Sequence, residues 1–405
     1  MATPQTPYEA VLHAARDVTK LPCALDAEML GTALLGSVYA IAEEDRARAV
    51  RDFVGEFLSA TSRRRTAAAT TIRNVFATLV PDATGAATVK RGAQAPSWSD
   101  QLGKVRLTGS YAYGDVYGDQ TSYLATFAYA DGESGGPEHA VVALVDHNIG
   151  ITKDIFVGGP AERILEQVRQ MCAGDELTWF REEDPRRLRG EVARHLSVTD
   201  GLGDLPGEGS LATDRALVGA RLALLPAPPS EVPAEPEPLS PDERTTLVRG
   251  FLDSPEAARF GLNRVGDDDL ASLHFCLSLV LDHSASFTDP DPLRWSPAVV
   301  GLFLLDWVHR RAVLDMDDAA MLPRVVRAWA GYAAARRGLP ARAATETDTA
   351  IEEMVPEFVR LYRTGERRSP ATAAVAQLVA EGVDPDDPDA LDAWIEANRQ
   401  RLADD

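Results

Sequence analysis

Acidic residues and one histidine are concentrated in two turn-forming segments of the chain. The first segment contains Asp115 and Asp119, and the second contains Asp146, His147 and Asn148. Carboxylates together with an imidazole bind divalent cations such as Mg²⁺ or Mn²⁺, and the same groups serve as general acids and bases. Asp115, Asp119, Asp146 and His147 are therefore the candidate metal ligands of this sequence.

The same residues also have a structural explanation. Gly, Asp and Asn are common in tight turns because Asp and Asn side chains accept hydrogen bonds from nearby backbone, and all three residues tolerate left-handed conformations. Short clusters of this kind are weakly specific for metal binding. The sequence leaves both interpretations open, and it favours structural turns over a functional site.

A small sheet over residues 105–157 is predicted to position these turns. Alternating or continuous apolar residues, separated by turn formers, indicate a four-stranded antiparallel meander. In a meander, alternate turns lie at the same edge of the sheet. With about 4.8 Å between neighbouring strands, the four candidate ligands come within about 10 Å of one another. Asp154 lies further along the last strand. The predicted strands are 105–113, 121–129, 139–145 and 151–157.

Helical periodicity surrounds this sheet and continues to the end of the chain. Apolar residues spaced near 3.6 positions predict helices over most of 7–81 and in several segments after 160. A Pro- and Glu-rich stretch then interrupts the pattern, and such a composition cannot pack a core. Ser240, Pro241 and Glu243 follow it with the signature of a helix N-terminus. We predict an α+β fold: an α+β domain over 1–225, a linker over 226–241 and an all-helical domain over 242–405.

The composition restricts the class of partner. The chain of 405 residues has a formal net charge of −21 at pH 7, which opposes binding to nucleic acids and to anionic membrane surfaces. Cys23, Cys172 and Cys276 are too few and too widely spaced for a disulfide framework or a zinc site. We expect no signal peptide and no segment of about 18 apolar residues, so the predicted location is the cytoplasm.

Two histidines of the helical region are further candidate site residues. His309 follows Asp306 by three positions and precedes Arg310, a spacing that places the three side chains on one helix surface. A surface ion pair is the favoured interpretation, and a buried acid–imidazole pair is the alternative. His283 comes near a helix end, where a cationic imidazole would favour the helix dipole.

Several segments resemble ones in actinobacterial proteins for which no activity is established. The resemblance covers Arg294 to Pro297, Leu304 to Trp307, Ala380 to Asp384 and Ala393 to Ile395, together with the two candidate turns. It implies that the turn segments and the C-terminal helices occur together in one α+β family. It implies no reaction, cofactor or substrate.

Two functions remain open from the sequence. The first is a cytoplasmic binding or regulatory protein whose helical C-terminal domain mediates contacts with a protein partner or a second copy of the chain. The second is a metal-dependent hydrolase that uses Mg²⁺ or Mn²⁺ at Asp115, Asp119, Asp146 and His147. The chain contains no P-loop and no HExxH zinc motif, so neither nucleotide hydrolysis nor that protease chemistry is indicated.

Overall fold

The computed structural model describes residues 6–83, 95–206, 209–228, 239–287, 290–383 and 387–404. The chain divides into two compact units. The first comprises Met1–Asp115 and Gln120–Val232, and the second comprises Val116–Asp119 and Pro233–Asp405. Most of the predicted linker, 226–241, lies outside the described residues.

The first unit begins with helices that are capped by side chains. Thr6 and Thr66 each accept a hydrogen bond from a backbone N–H of the first turn of their helix, which satisfies a donor that has no partner within the helix. Phe57 and Phe76, with ring centroids 5.1 Å apart, form part of the shared core. The helices are α1 (Pro7–Ala14), α2 (Ala24–Ile41), α3 (Arg46–Ala60) and α4 (Ala67–Leu79).

Helix α2 is, by length and composition, apolar enough to cross a membrane, and half of it is buried in the protein. The sequence predicts no such segment, and this prediction is wrong for α2. Asp26 and Glu28 are its charged residues, and Glu28 is fully buried in the core. A core helix of a folded protein meets the same length and composition criteria.

The predicted meander is present. Strands β1 (Val105–Asp115), β2 (Gln120–Tyr129), β3 (His139–Asp146) and β4 (Ile151–Gly158) pair antiparallel in chain order. A one-turn helix, α5 (Gly132–Gly135), joins β2 to β3. The two central strands are buried on both faces, which explains their nearly continuous apolar sequence.

The sheet has five strands, whereas the sequence predicts four. After α6 (Ala161–Ala173), a short strand β5 (Thr178–Glu182) pairs antiparallel with β1, which gives the order β4-β3-β2-β1-β5. This edge strand has no fully buried residue, so its sequence lacks the alternation of apolar and polar residues that identifies the other strands. Helices α7 (Pro185–Asp200) and α8 (Ser210–Ala223) complete the unit.

Helices cover both faces of the sheet. Helix α6 packs on one face, where Val168 and Cys172 join Leu124 and Val142. Helices α7 and α8 pack on the opposite face, where Val192 and Val218 belong to the same apolar cluster as alternate residues of β2 and β3. The sheet is therefore the middle layer of the first unit, and its turns are at the edges of that layer.

The described elements of the second unit are helical, as predicted. Ser240 and Glu243 form the predicted capping box at the start of the first helix. The core contains Trp295, Trp329 and Phe251. The helices are α9 (Pro241–Leu252), α10 (Pro255–Arg259), α11 (Asp267–Ala285), α12 (Pro297–Leu302), α13 (Val308–Arg311), α14 (Met316–Arg337), α15 (Ala341–Thr364), α16 (Pro370–Ala380) and α17 (Pro388–Asp404).

The predicted helix after Ser296 is not uniform. Ser296 accepts a hydrogen bond from Val299 N–H at its start, as expected. A π-helical turn, Phe303–Trp307, then separates α12 from α13. Such turns are rare and often accompany functional sites. Phe303 and Trp307, the first and last residues of this turn, both contact the ring of His283.

Candidate functional site at the turns of the sheet

Two of the four candidate ligands are linked through Gln120. The Gln120 backbone N–H donates to Asp115 Oδ2 at 2.7 Å, and its side-chain Nε2 donates to Asp146 Oδ2 at 3.1 Å. Gln120 also lies opposite Asp146 in the β2–β3 register. Asp115 and Asp146 therefore share one edge of the sheet, as the meander topology predicts.

Asp146 also organises its own turn. Its Oδ1 accepts the Asn148 backbone N–H at 3.0 Å, and its carbonyl oxygen accepts Gly150 N–H at 2.9 Å. Lys153 Nζ lies 3.8 Å from Asp146 Oδ2. This side chain thus has the turn-forming role that the structural interpretation assigns to it, and it is buried.

His147 contacts a second imidazole. Its Nε2 is hydrogen-bonded to Thr121 Oγ1 at 3.0 Å, and its ring lies edge-on to the ring of His195 with centroids 5.6 Å apart. His195 is buried in α7, and its Nδ1 donates to the Glu191 carbonyl at 2.8 Å. The sequence does not identify His195 as a site residue, because nothing in a helix 48 positions away indicates a contact with this turn.

Asp119 belongs to the second unit, unlike the other three candidate ligands. Its Oδ1 accepts the Ser296 hydroxyl at 2.9 Å and lies 3.9 Å from Arg294 Nη1. In the same unit, the Tyr117 hydroxyl donates to the Ala343 carbonyl at 3.2 Å. The partners shown for Asp119 are therefore residues of the helical unit.

Asp154 is directed away from this edge. Its Oδ1 accepts the Ile155 backbone N–H at 2.8 Å and also the Ser210 hydroxyl at the start of α8. Over the described ranges of the chain, no group of three or more His, Cys, Asp or Glu side chains is placed to hold a metal ion. The hydrogen bonds shown for Asp115, Asp146 and His147 are made to Gln120, Asn148 and Thr121 of the same sheet edge.

A G-x-S-x-G pattern, Gly132 to Gly136, occurs between β2 and β3. In hydrolases this pattern forms a sharp strand-to-helix turn that exposes the serine. Here Gly132–Gly135 form the one-turn helix α5 between two antiparallel strands, and Ser134 Oγ donates to Asp131 Oδ2 at 2.8 Å. The geometry needed for a nucleophilic serine is not present in this turn.

A buried polar network lies in the core of the first unit. Arg221 of α8 forms an ion pair with Glu28 of α2, and both side chains are fully buried. The Tyr129 hydroxyl donates to Glu28 at 2.7 Å, and Arg221 Nε donates to His139 Nε2 at 3.1 Å. Burial, reinforced by the adjacent Arg221 charge, lowers the pKa of His139 to about 4. No sequence signal connects these residues, because they are distant along the chain.

His283 and His309 of the second unit have different environments from those expected. Asp306 and Arg310 form the expected surface ion pair at 2.8 Å, but His309 is buried against Phe358 with ring centroids 5.4 Å apart. His283 is buried among the aromatic rings of Phe287, Trp295, Phe303 and Trp307.

Burial lowers the pKa of His283 to about 4. The imidazole is therefore neutral at pH 7, and the expectation of a cationic partner for the helix dipole is wrong. The aromatic residues that surround it come from the segment between α11 and α12 and from the π-helical turn. The position of His283 near a helix end does not indicate these contacts.

No protein-family model, curated protein or solved structure matches this chain. The geometry of the described residues is therefore the basis for the functional proposals.

Proposed function

We propose that this chain is a cytoplasmic binding or regulatory protein whose helical unit mediates a protein contact. The observation that supports this proposal is an open groove of about 470 Å³ between α9 and α11. Val248, Leu252, Leu277 and Leu281 line it with apolar side chains. A groove between two helices with this lining suits the apolar face of a third helix.

The charged residues at the rim of the groove favour a partner with an acidic side chain. Arg244 is paired with Asp282 at 2.5 Å. Arg249 has no carboxylate within 4.0 Å among the described residues, and His274 is exposed beside it. Asp253 is the acidic residue among those that line the groove. We therefore propose an amphipathic helix of another protein as the partner, with an acidic side chain directed to Arg249.

A displayed library of amphipathic helical peptides, selected against the full chain, tests this proposal. We expect peptides with an acidic flank to be enriched and to lose about tenfold or more in affinity for Arg249→Glu. Leu270→Glu is the matched control, because Leu270 is an exposed apolar residue of α11 that does not line the groove. Its affinity for the selected peptides should remain unchanged.

Two outcomes would contradict the proposal. One is the absence of any enriched helical peptide. The other is equal binding to the Arg249→Glu and Leu270→Glu variants. Sedimentation equilibrium of the full chain distinguishes a heterologous helix from a second copy, because a groove occupied by a second copy gives a dimer that Arg249→Glu alters.

The second candidate function is a metal-dependent hydrolase that binds Mg²⁺ or Mn²⁺ at the sheet edge of the first unit, through Asp115, Asp146 and His147. Asp119 is not part of this candidate site, because it belongs to the second unit. The observation that favours it is the shared sheet edge, where Gln120 joins Asp115 to Asp146. It ranks second because these carboxylates already accept hydrogen bonds from backbone N–H groups of their own turns.

Metal analysis of the purified chain tests this second candidate. If it is correct, added Mn²⁺ raises the melting temperature, and both Asp146→Ala and His147→Ala abolish the rise. Glu133→Ala, an exposed carboxylate in α5, is the matched control. An identical response of all three variants and the parent chain excludes a metal site at these residues.

A further inference from the structure

A separate cleft of about 230 Å³ lies within the first unit. Helices α2, α3 and α8 and the turn after α4 enclose it. Helix α8 contributes Ala216, Gly219 and Ala220, whose small side chains leave the space open. An apolar cavity of about 150 Å³ is enough for benzene, so this cleft can hold a somewhat larger organic molecule.

The walls of the cleft are mainly hydrocarbon. Leu35 of α2, Val50 of α3 and Leu79 of α4 face it together with the alanines of α8. Sites for small molecules typically combine walls of this kind with a small number of polar groups that orient the ligand. The polar groups therefore decide which class of ligand fits.

One arginine of the cleft is already neutralised. Arg215 binds Asp200 with two hydrogen bonds, Nε to Oδ1 at 3.0 Å and Nη2 to Oδ2 at 2.6 Å. The Tyr39 hydroxyl donates to the same carboxylate at 2.6 Å. Tyr39, Asp200 and Arg215 thus form a rigid polar wall with balanced charge.

The other arginine is not neutralised in this way. Arg51 of α3 is half-buried at the cleft and has no carboxylate within 4.0 Å among the residues described. Asp82, the acidic residue among those that line the cleft, is exposed and lies beyond that distance from Arg51. A partly desolvated guanidinium beside an apolar space favours a carboxylate ligand.

We propose that this cleft binds a medium-chain aliphatic carboxylate, with its hydrocarbon chain between α2 and α8 and its carboxylate at Arg51. The ligand site is in the first unit, whereas the groove between α9 and α11 is in the second unit. Binding of the carboxylate there would regulate the protein through a site separate from the proposed protein contact.

Calorimetric titration of the full chain with octanoate, octan-1-ol and octylammonium tests the proposal. We expect octanoate to bind with a dissociation constant of about 1 mM or tighter. The alcohol should bind more weakly, because it lacks the charge, and octylammonium should bind least. Tighter binding of octylammonium, or no saturable binding of octanoate, would overturn the proposal.

Variants locate the binding in the cleft. Arg51→Gln should weaken octanoate binding about tenfold, which is the loss of one charge-assisted hydrogen bond. Arg48→Gln is the matched control, because Arg48 lies on the same helix, pairs with Asp52 and does not line the cleft. Equal affinities of the Arg51→Gln and Arg48→Gln variants would show that octanoate binds elsewhere.

Filling the space provides a second, independent measurement. Ala220→Phe should abolish octanoate binding, while the circular dichroism spectrum and the cooperative thermal unfolding of the parent chain, which report a folded protein, are retained. Ala216→Leu serves the same purpose if Ala220→Phe does not fold. Undiminished octanoate binding in a folded filled variant would contradict the proposed site.

Discussion

At the scale of single residues, an ion pair between Glu28 and Arg221 lies in the core of the first unit. Both side chains are completely buried, so each charge depends on the other and on Tyr129 and His139 for stabilisation. Removing one member of such a pair leaves a buried charge without compensation.

Arg221→Met should therefore lower the free energy of unfolding by about 3–5 kcal/mol. Chemical denaturation monitored by circular dichroism measures the change. Arg310→Gln, which removes an exposed ion pair with Asp306, is the control and should cost less than about 1 kcal/mol. Similar effects of the two variants would contradict the dominant role of the buried pair.

Two buried histidines make stability depend on pH. The pKa values of His139 and His283 are lowered to about 4 in the folded protein, against about 6.5 in an unfolded chain. Between pH 6.5 and 4 the unfolded chain therefore binds protons that the folded chain does not. The stability that depends on neutral His139 and His283 is fully present above pH 6.5, and it is lost as the pH falls towards 4.

We expect the loss to reach about 2–3 kcal/mol for each of the two histidines. Denaturation curves at several pH values measure it, and His283→Phe should reduce the slope between pH 6.5 and 4. His274→Ala, at an exposed position of α11, should leave the slope unchanged. A slope that is the same in all three proteins would show that His283 is not the source.

At the scale of elements, helix α2 is held close to two neighbours by glycine. A Cβ atom on Gly36 would lie 2.6 Å from the Ala212 carbonyl oxygen of α8, and one on Gly31 would lie 2.4 Å from Val75 Cγ1 of α4. The backbone of α8 cannot move away as easily as a side-chain tip. Gly36 therefore fixes the separation of α2 and α8, which also form two walls of the cleft.

Gly36→Ala should lower the free energy of unfolding by about 1–3 kcal/mol, the usual cost of an overpacked contact. Gly132→Ala is the control, because nothing lies within 4 Å of an added Cβ there. Thermal unfolding compares the two variants. An unchanged melting temperature of Gly36→Ala would show that the helices can separate at little cost.

At the scale of the whole molecule, the charge of −21 is the dominant long-range property. It repels polyanions, since binding to nucleic acids draws most of its free energy from cationic contacts with phosphate. We expect no mobility shift of duplex DNA and no flotation with anionic vesicles at about 150 mM salt. Binding in either assay would require a cationic patch strong enough to overcome the net charge.

Much of the architecture follows from the sequence alone. The α+β class, the four consecutive strands and the helix that begins after Ser240 are local or periodic signals, and the structure confirms them. The shared edge of Asp115 and Asp146 also follows, because a meander places alternate turns at one end. These features depend on residues that are neighbours in the chain or adjacent in register.

The remaining features depend on contacts between distant segments, and only the tertiary structure decided them. Strand β5 exists as an edge strand because β1 offers unpaired backbone groups after α6, not because its own residues alternate. His195 reaches His147, and Arg221 reaches Glu28, only through helix packing. The Asp and His residues at the turns of the sheet show both contributions. Local sequence placed Asp146 and His147 in a turn, whereas the packing of distant segments determined which groups their side chains contact.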